Sequence, residues 1–157
     1  MTPNESLITH FYTCFQNKDI QGMQDSYAEQ AVFNDPAFGP LNAAEVRGMW
    51  AMLIGGSKDM RIESSNIQEN AQNGTVSAHW DAYYTFSKTG NKVINRIDSL
   101  FVIQDGKILK HTDSFNFHTW AKQALGLSGL LLGWTSFLKN KVRKTAAASL
   151  QSYLASR

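Results

Sequence analysis

Asp35, Asp98, Asp113 and His111 are the residues of this sequence whose types and surroundings suit acid–base chemistry. Asp35 stands in AVFNDPAFGP, after an apolar run that reads as a short strand. The proline behind it favours extended backbone and stops regular pairing. Turn chemistry accounts for such a residue, and so does a carboxylate aimed into a pocket. Asp98 (NRIDSLFV) and the His111/Asp113 pair (KHTDSFNF) lie in two runs joined by Gln104-Asp105-Gly106-Lys107. Asp-Gly between strand-like runs is the signature of a two-residue hairpin loop. With Gln104 opposite Lys107, a regular ladder sets Leu100 opposite His111, Asp98 opposite Asp113 and Arg96 opposite Phe115, all on one face. Two neighbouring carboxylates on a buried face cannot both ionise cheaply, so one keeps its proton and an acid and a base stand together. The same spacing also fits a structural ion-pair network with Arg96 and His111, or a solvated cluster. A slip of one residue would separate the pair.

The elements that must hold these residues follow from periodicity. Leu7, Ile8, Phe11, Tyr12 and Phe15 recur at three and four residue intervals, which predicts a helix over Ser6 to Asn17. Asp19 caps a shorter second helix with Ile20, Met23 and Tyr27. Asn42 and Glu45 form a capping box for a third, whose stripe is Val46, Met49, Trp50 and Leu53 and which Gly55-Gly56 ends. From Met60 the period becomes two, with turns at Gln72-Asn73-Gly74, Thr89-Gly90-Asn91 and Asp105-Gly106, predicting an antiparallel meander of four long strands. On the strand Gly74 to Phe86, Val76, Ala78, Trp80, Ala82 and Tyr84 face the core. A three-residue Thr89-Gly90-Asn91 loop would set Ala82 beside Asp98 and Tyr84 beside Arg96. The fold class is α+β: a strongly curved antiparallel sheet with three N-terminal helices forming a cone, followed by a C-terminal helical extension. Residues 1–118 form the cone and 119–157 the extension of the same domain.

Composition bounds the function. The chain has 157 residues, 43% hydrophobic and 18% charged, with net charge +2, which suits one domain with a real core. No basic stripe crosses the body, so nucleic acid is not an expected partner. No apolar run reaches the roughly 20 residues that span a bilayer, and MTPNESL lacks the features of a leader. A cytoplasmic protein with no membrane association is expected. The stretch ALGLSGLLLGW and the helix bearing Lys139, Lys141, Arg143 and Lys144 are expected to pack as an amphipathic element with a solvated basic face. The single cysteine, Cys14, excludes an internal disulfide. His79, Asp81, His111, His10 and His118 show no metal-ligand spacing, and no phosphate-binding glycine loop or nucleophile elbow occurs. No metal or cofactor is expected.

The order of elements together with FYTCFQNKDIQGMQDSYAEQAVFNDPAFG resembles the nuclear-transport-factor-2-like (NTF2-like) superfamily, in particular its ketosteroid isomerases and SnoaL-like polyketide cyclases, over Ser6 to His118. The resemblance implies a general-base role for Asp35, which precedes proline as that base does. It implies an oxyanion-hole role for Asp98 and an acid or base role for Asp113; His111 is expected to join Asp98 in donating to an enolate oxygen. Phe11 stands where the isomerases carry their oxyanion tyrosine; Tyr12 beside it points elsewhere on the helix. The Arg-x-Asp of the related epoxide hydrolases is unmatched near Trp80-Asp81-Ala82. The implied lining of the cone is Phe11, Trp50, Trp80, Tyr84, Arg96 and Phe115, around a small apolar ligand. An isomerase- or cyclase-type enzyme acting on an apolar carbonyl compound is expected. The alternatives are a non-catalytic binding module for a hydrophobic metabolite and a dimeric scaffold. The family generally pairs through the outer face of the sheet, here Thr75, Ser77, Tyr83, Asn95, Ser99 and Phe101, so a homodimer is expected.

Overall fold

A computed structural model describes all residues from Met1 to Arg157. Helix α1 (Pro3–Gln16) starts where Thr2 and Glu5 close a capping box and Pro3 takes the first turn, where its missing N–H costs nothing. Its buried side is Ile8, Phe11, Tyr12 and Phe15. Asp19 caps α2 (Ile20–Asp25) by accepting from Gly22 N, and the expected Asn42/Glu45 box caps α3 (Ala43–Gly56). These capping signals are local and hold, but Tyr27, expected on the second helix, lies beyond its end and opens the first strand.

The strands β1 (Tyr27–Asp35), β2 (Gly39–Asn42), β3 (Arg61–Glu69), β4 (Val76–Thr85), β5 (Lys92–Gln104) and β6 (Lys107–Ser114) form one sheet in the order β2-β1-β6-β5-β4-β3. The sheet curls around α1 and α3 without closing. The meander β3 to β6 is antiparallel as expected, but β1 joins β6 in parallel. Pro36 does not end pairing either: the chain turns through it, and Asp35 pairs with Gly39 of β2, a strand the sequence reading lacked.

The Asp105-Gly106 turn has positive φ at both residues, 53° and 74°, as a two-residue hairpin of this type requires. The register it starts, Gln104 with Lys107 and Ile103 with Ile108, lasts for two pairs. Leu109 is then extra, and the ladder resumes as Val102 with Lys110, Phe101 with His111 and Ser99 with Asp113. Such a bulge slips the register by one and re-aims every later side chain.

The core is one cluster running from Ile8 on α1 through Trp50 on α3 to Trp80, Ile97 and Phe101 on the sheet. A second, smaller cluster joins Val93 to Phe117, Trp120, Ala121 and Ala124 of α4 (Phe117–Leu125) and to Leu138 of α6 (Ser136–Ala155). Between these helices lies α5 (Leu127–Leu132). Leu150 of α6 is fully buried in the main cluster, so the extension is packed onto the cone at both of its ends. No helix is long and apolar enough to cross a membrane.

Candidate active site

Because Asp113 follows the bulge, it points into the cone and is 4% exposed. Its Oδ1 accepts from Ser99 Oγ at 2.5 Å and from His111 Nε2 at 2.8 Å. Ser99 Oγ in turn accepts from Tyr12 OH at 2.9 Å and Trp80 Nε1 at 3.0 Å. On the other side of the imidazole, His111 Nδ1 lies 2.8 Å from Tyr27 OH, and Trp50 Nε1 donates to that oxygen at 2.9 Å. An indole nitrogen only donates. The Tyr27 hydrogen therefore has one acceptor, His111 Nδ1, and the ring proton sits on Nε2, facing Asp113. Every donor in this chain of six side chains is directed toward Asp113 Oδ1.

Asp113 Oδ2 accepts nothing from the protein. Ser57 Oγ is the one fully buried side-chain nitrogen or oxygen without a partner, so Oδ2 keeps some accessible surface. Burial is the chief reason that the Tyr12 and Tyr27 hydroxyls are held well above the ordinary tyrosine value, and the negative charge of Asp113 adds to it. Both stay protonated as donors. The Arg47 guanidinium bonds the carbonyls of Gln24, Tyr27 and Ala28, which ties the start of β1 to α3. His111 is enclosed by the rings of Phe101, Phe33 and Phe11 at centroid distances of 4.2, 5.0 and 5.8 Å. Of the expected lining, Phe11, Trp50 and Trp80 are thus packed in the core.

Asp35 comes to the same region from the end of β1. Its Oδ1 accepts from Ala37 N at 3.0 Å and Phe38 N at 2.6 Å, the side-chain turn that closes the β1–β2 hairpin. Its Oδ2 is unbonded. Burial, reinforced by the charge of Asp113, lifts its carboxyl to about 7, while the Phe38 and Ala37 N–H groups and the Arg143 guanidinium work against the rise. Arg143, on α6, reaches across from the extension to donate to Pro36 O at 3.1 Å. Burial likewise lifts the Tyr84 phenol to about 12, with the charge of Asp35 contributing, and its hydroxyl accepts from Trp120 Nε1 at 2.8 Å. Tyr84 and Phe115 are half-buried and pack against both hydrophobic clusters. Asp35, Tyr84, Phe115 and Arg143 therefore mark a seam between cone and extension. Tyr84 and Val93 also line a surface groove of about 260 Å³ with Asp59, Arg61, Tyr83, Lys92 and Ile94.

Two expected site residues point the other way. Asp98 lies opposite Ser114 rather than Asp113, and its side chain is 82% exposed on the outer face. Arg96, 68% exposed, pairs there with Asp81 at 3.4 Å. The expected β4–β5 register fails as well, because the connection runs from Thr85 to Lys92 and sets Ala82 opposite Asn95 and Tyr84 opposite Val93. On the outer face His79 lies 2.8 Å from both Asp81 and Asp98, and the Asp98 bond is the main reason its imidazole is raised. Conversely Asn95, Ser99 and Phe101, expected outside, are buried inside, and Tyr12 points into the cone. Ser99, Tyr12 and Tyr27 are the site residues that sequence reasoning missed. A usable signal existed for Ser99: Lys92, Arg96 and Asp98 share one alternation phase of β5, which marks it as the wet face and leaves Ser99 on the dry one.

The SnoaL-like domain family matches residues 8–111, about two thirds of the chain. The chain belongs to the SnoaL-like family. No curated protein matches it in sequence. Among solved structures this SnoaL-like chain is similar to TerC, crystallised with polyporic acid, at TM-score 0.65 and 18% identity over 78% of this chain and 98% of that one. It is similar to IdmH from Streptomyces antibioticus, provisionally assigned as a polyketide cyclase, at TM-score 0.64 and 20% identity over 79% and 99%. A Pseudomonas putida KT2440 protein with the same provisional assignment gives TM-score 0.65 and 18% identity over 79% and 98%. At these identities the likeness establishes the NTF2-like fold. Each neighbour is covered almost entirely while about a fifth of the SnoaL-like chain is left over.

Proposed function

We propose that this SnoaL-like protein is an isomerase- or cyclase-type enzyme that enolises a small apolar carbonyl compound held at the seam, with Asp113 as base and Asp35 as acid. One observation carries the reading: a buried carboxylate has one oxygen fixed by Ser99 and His111 and the other left unbonded. Fixing one oxygen aims the other, which is what proton abstraction from a bound carbon acid needs. The proton moves from the carbon next to the carbonyl to Asp113 Oδ2, and the C–H electron pair becomes the enolate. Asp35, whose carboxyl titrates near neutral pH, in its protonated form donates to the developing enolate oxygen. In an isomerisation the compound carries a neighbouring C=C bond, so a dienolate forms, Asp113 returns the proton at its far carbon and the double bond moves into conjugation with the carbonyl. In a cyclisation the enolate carbon bonds to a second carbonyl carbon, and the new alkoxide takes the proton of Asp35. Asp98 has no part in this scheme, because it faces solvent.

The neighbour TerC, crystallised with polyporic acid, supports a small-molecule ligand for this fold. Tyr84 and Phe115 are the apolar walls a ligand would meet first. The test is deuterium uptake at the activated carbon of 2-tetralone, an apolar bicyclic ketone, followed by NMR in D2O. Wild-type protein should accelerate uptake, with Asp113→Asn lowering the rate about a hundredfold or more and Asp98→Asn leaving it unchanged. If Asp113→Asn and Asp35→Asn exchange as fast as wild type, the assignment is wrong and the cone only binds.

A further inference from the structure

The extension carries large apolar side chains on the wrong side. At α5 the positions that face the protein are glycine: Gly129 is buried so tightly against α4 that a Cβ there would lie 1.9 Å from Ala121 O, and Gly133, which caps the helix, is buried one turn later. Leu127, Leu130 and Leu131 point into solvent, joined by Trp134 at 74% exposure and Phe137 at 70%. An ordinary surface helix buries its large residues and shows its small or polar ones. Here the expected packing of this stretch is inverted, and the result is a contiguous apolar ridge at the elbow between α5 and α6.

Charge singles out what covers it. All 13 acidic residues of the chain lie at or before Asp113. Beyond it the charged residues are Lys122, Lys139, Lys141, Arg143, Lys144 and Arg157. Lys141 and Lys144 are exposed and follow Phe137 by four and seven residues on α6, so they flank the ridge on one helix face. We propose that the α5–α6 elbow is an interfacial anchor that seats the protein on an anionic lipid bilayer. Leu127, Leu130, Leu131, Trp134 and Phe137 enter the region between headgroups and acyl chains, and the lysines pair with lipid phosphates. Apolar side chains with a basic flank are what such a surface takes up, to a depth of about 5–10 Å. A second copy docked symmetrically on the same ridge would bring Lys141 and Lys144 against their own like charges. The ridge is also far smaller than the roughly 20–30 residues a side of a stable protein interface.

Trp134 is a built-in reporter, because Trp50, Trp80 and Trp120 are buried. The full chain is mixed with vesicles of phosphatidylcholine alone, or containing roughly 30% phosphatidylglycerol as the anionic component, and followed by Trp emission and co-sedimentation. Emission should shift to the blue and protein should sediment only with the anionic vesicles at about 50 mM salt, weakening at least tenfold at about 500 mM. Lys141→Glu/Lys144→Glu should weaken binding at least tenfold, and Leu131→Ser/Phe137→Ser should abolish sedimentation. These residues are exposed, so far-UV circular dichroism should be unchanged in both variants. Absence of binding to the anionic vesicles at low salt overturns the proposal, as does binding that both variants retain. It is equally overturned if light scattering shows a dimer that Leu131→Ser/Phe137→Ser dissolves while no vesicle binds, which would assign the ridge to a second copy.

Discussion

Replacing Asp35 by Asn should make the protein more stable at neutral pH and erase a specific part of its pH dependence. The carboxyl is lifted from 3.8 to about 7 in the folded chain, chiefly by burial. A group whose folded value lies above its unfolded value holds its proton longer in the native state. The contribution of Asp35 to stability is therefore greatest below about pH 4 and falls as pH rises to about 7, after which both states are ionised. A shift of about 3 units corresponds to about 4 kcal/mol, an upper bound because Asp35 keeps partial solvent contact. Asn preserves the oxygen that accepts from Ala37 and Phe38 and carries no charge. In calorimetric scans from pH 4 to 9, wild type should lose melting temperature across the pH 4–7 window and the variant should not, with a gap of about 10 °C at pH 8 for a chain of this size. Asp59, held down at about 2 chiefly by its Thr85 hydroxyl bond, and Glu5, held down by backbone N–H groups, lose their contributions as pH falls through the acid edge of this window and below it, equally in both proteins. His79, raised by Asp98, adds a slope of the same sign at higher pH, which is common to both proteins and cancels in the difference. Parallel wild-type and variant curves would refute the claim that Asp35 is buried beside the charge of Asp113.

Ser99→Ala leaves the Trp80 and Tyr12 donors and Asp113 Oδ1 short of a partner. It should cost roughly 2–5 kcal/mol in urea unfolding, since each buried orphan group costs about 1–3 kcal/mol. Asp98→Asn, on the exposed outer face, should change stability by less than about 1 kcal/mol in the same assay. Leu150→Ala empties a fully buried position between α6 and α3 and should cost about 2–5 kcal/mol. Hydrogen exchange should show α6 deprotected first. Gly129→Ala forces a methyl into the Ala121 carbonyl and should destabilise the extension by about 1–3 kcal/mol, read as earlier proteolysis after Leu125.

What the sequence made legible was local. Capping residues, the three-and-four spacing of α1 and α3 and the Asp105-Gly106 turn are each decided within a few residues, and each stands where expected. The site depended on a longer inference, a ladder counted outward from the turn, and one extra residue at Leu109 broke it. Nothing in KILKHTDS signals a bulge, since Leu109 suits either face. The phase of β5 was recoverable, because Lys92, Arg96 and Asp98 on one face outweigh a register argument that would bury two of them. Asp113 and His111 lie inside the cone despite the error, and Asp98 and Arg96, expected beside them, face outward. The Tyr12 and Tyr27 contributions were not legible at all. They depend on how α1 and the start of β1 meet β5 and β6 in space, across sequence separations of 87 and 84 residues.

Asp35 and Asp113 share a design that explains why the extension matters to the cone. Each has one oxygen tied down and one free, but the ties differ: side-chain donors deep in the cone for Asp113, two backbone N–H groups in a turn for Asp35. A turn at a strand end is normally wet, and a wet Asp35 would titrate like any surface aspartate. Burial is the leading cause of its rise, and the extension reaches its turn through Arg143, which donates to Pro36 O. The Asp35 carboxyl stands near neutrality, where the proposed acid is useful. The same contact limits the rise through the Arg143 charge. The proposed mechanism needs this aspartate kept from water, and the helix that reaches its turn, α6, also carries Phe137 of the exposed ridge.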